Sequence, residues 1–85
     1  MVAVTTGTEL IFETLYESDL PTRRVREDED TLMRVVDGLV RLQEDDGERL
    51  MGPGDEAIVP AGAAHRVASA CERALLIVGF RPAAR

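Results

Sequence analysis

GDEAIVPAGAAHRVAS, residues 54–69, holds the only histidine of the 85-residue chain, His65, behind a ladder of turn residues. Gly54 permits a positive-φ turn, and EAIV after it reads as a short strand. Pro60 and Gly62 then reverse the chain, and HRVAS begins the returning strand. Along that strand His65, Val67 and Ser69 alternate and share one face. The stretch therefore reads as strand, turn, strand, with an imidazole projecting from the start of the second strand into whatever that face encloses.

Outward from this stretch the same rhythm continues. Turn signals recur at Leu20-Pro21, Asp37-Gly38, Asp45-Asp46-Gly47, Gly52-Pro53-Gly54, Pro60-Ala61-Gly62 and Ser69 to Glu72, separated by short apolar segments such as LIFETLY, LMRVV, LVRL and ALLIVGF. Spacing of about 7 to 12 residues between turns is the pattern of an all-β sandwich or barrel. One segment also fits a helix: Leu32, Val35, Val36 and Leu39 lie at i, i+3, i+4 and i+7. A helix there would enclose Gly38 at about 1 kcal/mol, whereas Asp-Gly between VV and LV is a hairpin signal, so a hairpin is expected. Residues 1–85 read as a single domain, with residues 1–8 as a tail or short edge strand.

Composition narrows the function classes. A formal charge of −6 opposes binding to a nucleic-acid backbone, which needs a basic face. All ten basic residues are arginine, which excludes Schiff-base, pyridoxal-lysine and phosphate-loop-lysine chemistry. The longest apolar run, Ala74 to Phe80, is far shorter than a membrane helix, so no membrane partner is expected. MVAVTTGTELIF lacks the basic start and apolar stretch of a signal peptide, and the single cysteine, Cys71, has no internal disulfide partner. A cytoplasmic location is the expectation. Cys71 reads as a small turn residue, because the one imidazole lies beyond Val67 to Ala70.

ALLIVGF is apolar on both faces and must be covered on both. The barrel interior covers one. A second copy of the chain, making a homodimer, or the LIFETLY segment folding across, covers the other.

Gly54, then Pro60, Gly62, His65 and Ser69 at their spacings resembles the second motif of the cupin family, with Ser69 where that family usually has asparagine. Asp37-Gly38 resembles the glycine that closes the first motif, so the resemblance spans roughly residues 22 to 82. It implies a cupin-like jelly-roll barrel, or double-stranded β-helix. In metal-binding cupins the first motif supplies two histidines and a glutamate. Counting back from Gly38 puts Arg24 and Arg26 at the histidine positions and Thr31 at the glutamate position. The resemblance thus implies no metal and no other cofactor, since one imidazole does not hold a transition metal tightly.

What fills such a site is left open between several readings. Arg24 and Arg26 either face the cavity and bind a carboxylate or phosphate, or lie on the surface paired with the acids of Glu27 to Asp30. That acidic stretch is expected as a solvated loop, with metal rescue by Glu27, Glu29 or Asp30 as the alternative. EDDGE at 44–48 is expected as a hairpin tip. His65 is either a ligand contact or a pocket-edge residue without a chemical role. The expected ligand site comprises His65, Arg24, Arg26, Thr31 and Met33, with Met33, Val35, Val40 and Val67 in the cavity wall. The leading function is a binding module for a small, anionic organic ligand. A cupin-type isomerase, cyclase or dioxygenase is the runner-up, with His65 as acid or base beside a hydroxyl such as Thr31 or Tyr16, and no catalytic residue is assigned. A purely structural or regulatory dimer is the third.

Overall fold

The computed structural model describes residues 9–83. The expected tail at residues 1–8 lies outside them. Seven strands follow in order: β1 Leu10–Tyr16, β2 Glu29–Asp37, β3 Val40–Glu44, β4 Gly47–Met51, β5 Glu56–Val59, β6 His65–Ser69 and β7 Arg73–Pro82. They form two antiparallel sheets, one in the order β1-β7-β2-β5 and the other β4-β3-β6. Among the described residues no helix is long and apolar enough to cross a membrane.

Alternation along the strands builds the interior. Leu15, Met33, Val35, Ala57, Val59, Ala74, Leu76 and Val78 point inward from the four-stranded sheet, and Val40, Leu42, Met51 and Val67 meet them from the other. Each fully buried aliphatic side chain contributes about 1.5 to 3 kcal/mol on an extended-chain reference, an upper bound. The turns around the opening stretch form as read: Gly54 and Gly62 have φ of +88° and +84°, and β6 begins at His65. EDDGE is a hairpin tip, joining β3 to β4 with Glu44 paired to Gly47.

Asp37-Gly38 is a turn but not a hairpin. β2 and β3 lie in different sheets, so this turn carries the chain across the barrel instead of folding it back on a neighbour. Its glycine is required twice over. The φ is +78°, and a Cβ would stand 2.6 Å from the Arg73 carbonyl oxygen and 2.9 Å from the Ala74 Cα. Local turn chemistry was legible, but the destination of the strand that follows is set by what β3 packs against.

The acidic stretch is also only partly a loop. Glu29 and Asp30 open β2, and the Asp30 carboxylate accepts hydrogen bonds from the Ala61 N–H at 2.9 Å and from Arg81 Nε at 3.2 Å. Those bonds, the Ala61 amide first, hold its carboxyl below the usual aspartate range. Asp30 thereby anchors the 60–64 turn that delivers His65. LIFETLY does not fold across the outer face of the terminal strand. It becomes β1 and pairs edge to edge with β7 over Leu10–Tyr16.

Candidate functional site

His65 occupies the inward side of the first position of β6, at 4% exposure. An isolated antiparallel bridge joins it to Arg24: the Arg24 N–H donates to the His65 carbonyl at 2.8 Å and the His65 N–H to the Arg24 carbonyl at 2.9 Å. Reciprocal bonds of this kind put the two side chains on one face. The Gly62 N–H donates to the Arg26 carbonyl at 2.7 Å, so the 22–26 segment is stitched to the turn on both sides of the ring. Glu44, the β3 partner of His65, shares its inward face.

Beside the imidazole is a cavity of about 350 Å³ whose wall includes Val25, Thr31, Val78 and Phe80 as well as His65, Arg24 and Arg26. Arg26 lies over the Phe80 ring, its Cζ 3.8 Å from the centroid, with Glu29 3.9 Å from its Nη2. Both ring nitrogens of His65 are buried and complete no hydrogen bond among the described residues. Burial lowers the imidazole pKa, the Arg24 cation lowers it further, and Glu44, the Ala63 carbonyl and Glu13 oppose the shift incompletely. The ring is therefore neutral at pH 7. It carries one N–H donor and one acceptor, both buried at the edge of the cavity.

Of the residues expected to form the site, His65, Arg24, Arg26 and Thr31 are brought together. Met33 is not in this cavity wall. It is packed in the core, as are Val35, Val40 and Val67, which meet across the two sheets and do not border this cavity. The cavity instead lies nearer the barrel mouth, walled by the Val25 segment and the end of β7. Tyr16 points outward from β1 and does not border this cavity. Cys71 sits in the β6–β7 turn, its Sγ accepting from the Leu39 N–H at 3.2 Å, which fits a structural residue.

Arg24 meets a residue that was not anticipated. Its Nη1 and Nη2 donate to Oε1 and Oε2 of Glu13, each at 2.8 Å, with both side chains partly buried. The signal was present in LIFETLY: Ile11, Glu13 and Leu15 share the face that meets Val78, Leu76 and Ala74, so a carboxylate at an inward position demanded a cation. Its partner lies eleven residues on, and no local pattern names it.

The donor set does not fit the divalent metal that the cupin resemblance implies for the family's metal-binding members. Among the described residues no three His, Cys, Asp or Glu side chains converge. The two carboxylates acting on the ring are engaged elsewhere, Glu13 by Arg24 and Glu44 by Arg49 at 3.2 Å, and the Arg24 cation opposes a second cation beside it.

No protein-family model matches the sequence, and no curated protein matches it. Solved structures do. KdgF from Halomonas sp. is 23% identical, with a TM-score of 0.80 over 98% of this chain and 76% of that one. A cupin-2 domain containing protein from Shewanella frigidimarina is 15% identical, with a TM-score of 0.76 over 94% of this chain and 74% of that one. TT1209 from Thermus thermophilus is 30% identical, with a TM-score of 0.76 over 86% of this chain and 70% of that one.

Proposed function

Because the chain has the fold of a small cupin domain and belongs to one family with TT1209, we propose that it is a metal-free cupin that binds a small organic anion in the cavity beside His65. The observation that carries this reading is the imidazole itself, buried to 4% exposure with both nitrogens lacking a partner among the described residues. Burying a donor and an acceptor without partners is unfavourable by about 1 to 3 kcal/mol for each group, and a ligand that hydrogen-bonds them recovers that loss. Val78, Phe80 and Val25 supply apolar contact, while Arg24 and Arg26 supply positive charge. The net charge of −6 supports a small-molecule partner over nucleic acid, and the reading places the protein in the cytoplasm.

The sole histidine makes the test direct, since its ring carbon and nitrogen NMR signals are free of overlap from other imidazoles. Titration with benzoate and with inorganic phosphate is expected to move those signals saturably for at least one probe. By calorimetry, which does not need the imidazole, His65→Ala is expected to weaken the binding by about 0.5 to 1.5 kcal/mol, a neutral hydrogen bond, and Arg24→Ala by about 1.5 to 3 kcal/mol, a charge-assisted one. Elemental analysis of untagged protein runs alongside. One transition metal per chain, lost on His65→Ala, or an unmoved His65 with every probe, would overturn the reading.

A second reading is an enzyme of the same superfamily. It is favoured by one fact, that a neutral imidazole whose nitrogens complete no geometric hydrogen bond among the described residues, with the Ala63 carbonyl nearby, is equipped to move a proton. Turnover of a bound organic acid that disappears in His65→Gln would select it.

A further inference from the structure

The Arg24–Glu13 pair stands in a wall between two cavities. On one side is the cavity of His65. On the other is a second one, of about 340 Å³, bordered by Glu13, Leu15, Tyr16, Leu20, Val67 and Arg24. Arg24 borders both, whereas Glu13 borders only the second. The geometry of the pair is fork to fork, with two nitrogens on two oxygens at 2.8 Å, and it occupies the guanidinium face best suited to a carboxylate.

This arrangement creates a conflict for any anion entering beside His65. Arg24 is the cation that acts on the ring, but its charge is already met by Glu13, whose carboxylate would repel the newcomer. We propose that Glu13 is an exchangeable counter-ion that sets the site's specificity. A ligand carboxylate takes over the Arg24 fork, and Glu13 swings out into the second cavity. The proposal rests on the anion-binding reading above. Two charge-assisted bonds are broken and two are formed, so the exchange is nearly balanced for a planar carboxylate. A halide offers one atom to two parallel arms, so it matches the fork less well than a carboxylate and displaces Glu13 less readily. Selectivity for carboxylates over simple anions follows from the competitor and not from the cavity wall alone.

Removing the competitor separates this idea from the reading it rests on. In Glu13→Gln the amide oxygen can accept from one arm of the fork, but the amide NH2 is a donor and cannot accept from the other, and the negative charge is gone. Benzoate, followed at the His65 ring signals, is expected to bind about tenfold more tightly than to the parent protein, and chloride is expected to gain affinity as well. Glu13→Ala, which leaves Arg24 without its partner, should tighten benzoate at least as much, and a melting curve on each variant confirms that the fold is kept. If one variant does not fold, the other carries the measurement. Parent protein that binds benzoate, with affinity unchanged or weakened in the folded variant, sinks the counter-ion role and leaves the anion site standing. Absence of benzoate binding in both the parent and the folded variant sinks both. Binding gained only after substitution overturns the exchange, since Glu13 would then block the fork and not yield it to a ligand.

Discussion

At the residue scale, the neutrality of His65 has a consequence for stability. Its pKa in the folded chain is lowered from 6.5, so the unfolded chain binds the proton more readily. The contribution is fully present above pH 6.5 and is lost as the pH falls below that value toward the lowered folded pKa. Chemical denaturation between about pH 7.5 and 5.5 is therefore expected to show stability falling with acidification, with a shallower fall in His65→Gln. Identical slopes in the two proteins would show that the ring is not desolvated as described. The NMR titration of the same ring gives the direction independently.

Elements are placed by a few backbone commitments. Gly38 lies where β2 leaves one sheet for β3 in the other, with φ +78° and the Arg73 carbonyl against its missing side chain. Gly38→Ala is expected to destabilise the domain by about 1 to 2 kcal/mol from the left-handed backbone alone, and by more because the Cβ meets backbone atoms that cannot swing aside. Urea unfolding measures it, and a loss below about 0.5 kcal/mol, roughly a twofold change in the folded ratio, would mean that the crossing relaxes easily. The 60–64 turn depends on Asp30 in a comparable way. In Asp30→Ala the Ala61 amide is expected to exchange its hydrogen faster and the His65 ring signals to broaden, because the anchor of the turn is gone. Unchanged exchange at Ala61 would reduce the Asp30 contact to a surface pairing.

For the whole molecule, the outer face of the four-stranded sheet is the feature to explain. Phe12 is 65% exposed and Ile58 38%, and Ile77 of β7 shares their side. β1 lies beside β7 in the sheet, and on that outer face Phe12 and Ile58 stay exposed at its two sides while Leu32 between them is buried. A second copy of the chain, apolar face to apolar face, is the proposed cover, and a homodimer is the expected species at micromolar concentration. Phe12→Glu is expected to weaken the dimer about tenfold or more, as loss of an aromatic anchor does. Sedimentation that finds only the 9.3 kDa species in the parent protein rules the assembly out.

How far the sequence reaches can be judged from particular residues. Gly54, Pro60, Gly62 and His65 announced strand, turn and strand through backbone preferences that act over a few residues, and the structure has β5, the turn and β6 where they place them. Counting along the cupin resemblance offered a pocket position for Arg24 as one of two readings, and the structure bridges it to His65. Three things were not legible in the sequence. The sheet to which β3 belongs, the core burial of Met33, and the pairing of Arg24 with Glu13 all depend on which surfaces meet across the barrel. Sequence alone determined the local turns and the alternation of faces, because φ preferences and strand period act within a segment. Only the tertiary structure decided which charges face which, because Coulomb attraction and packing depend on distance in space and the chain brings residues 13, 24 and 65 together by folding.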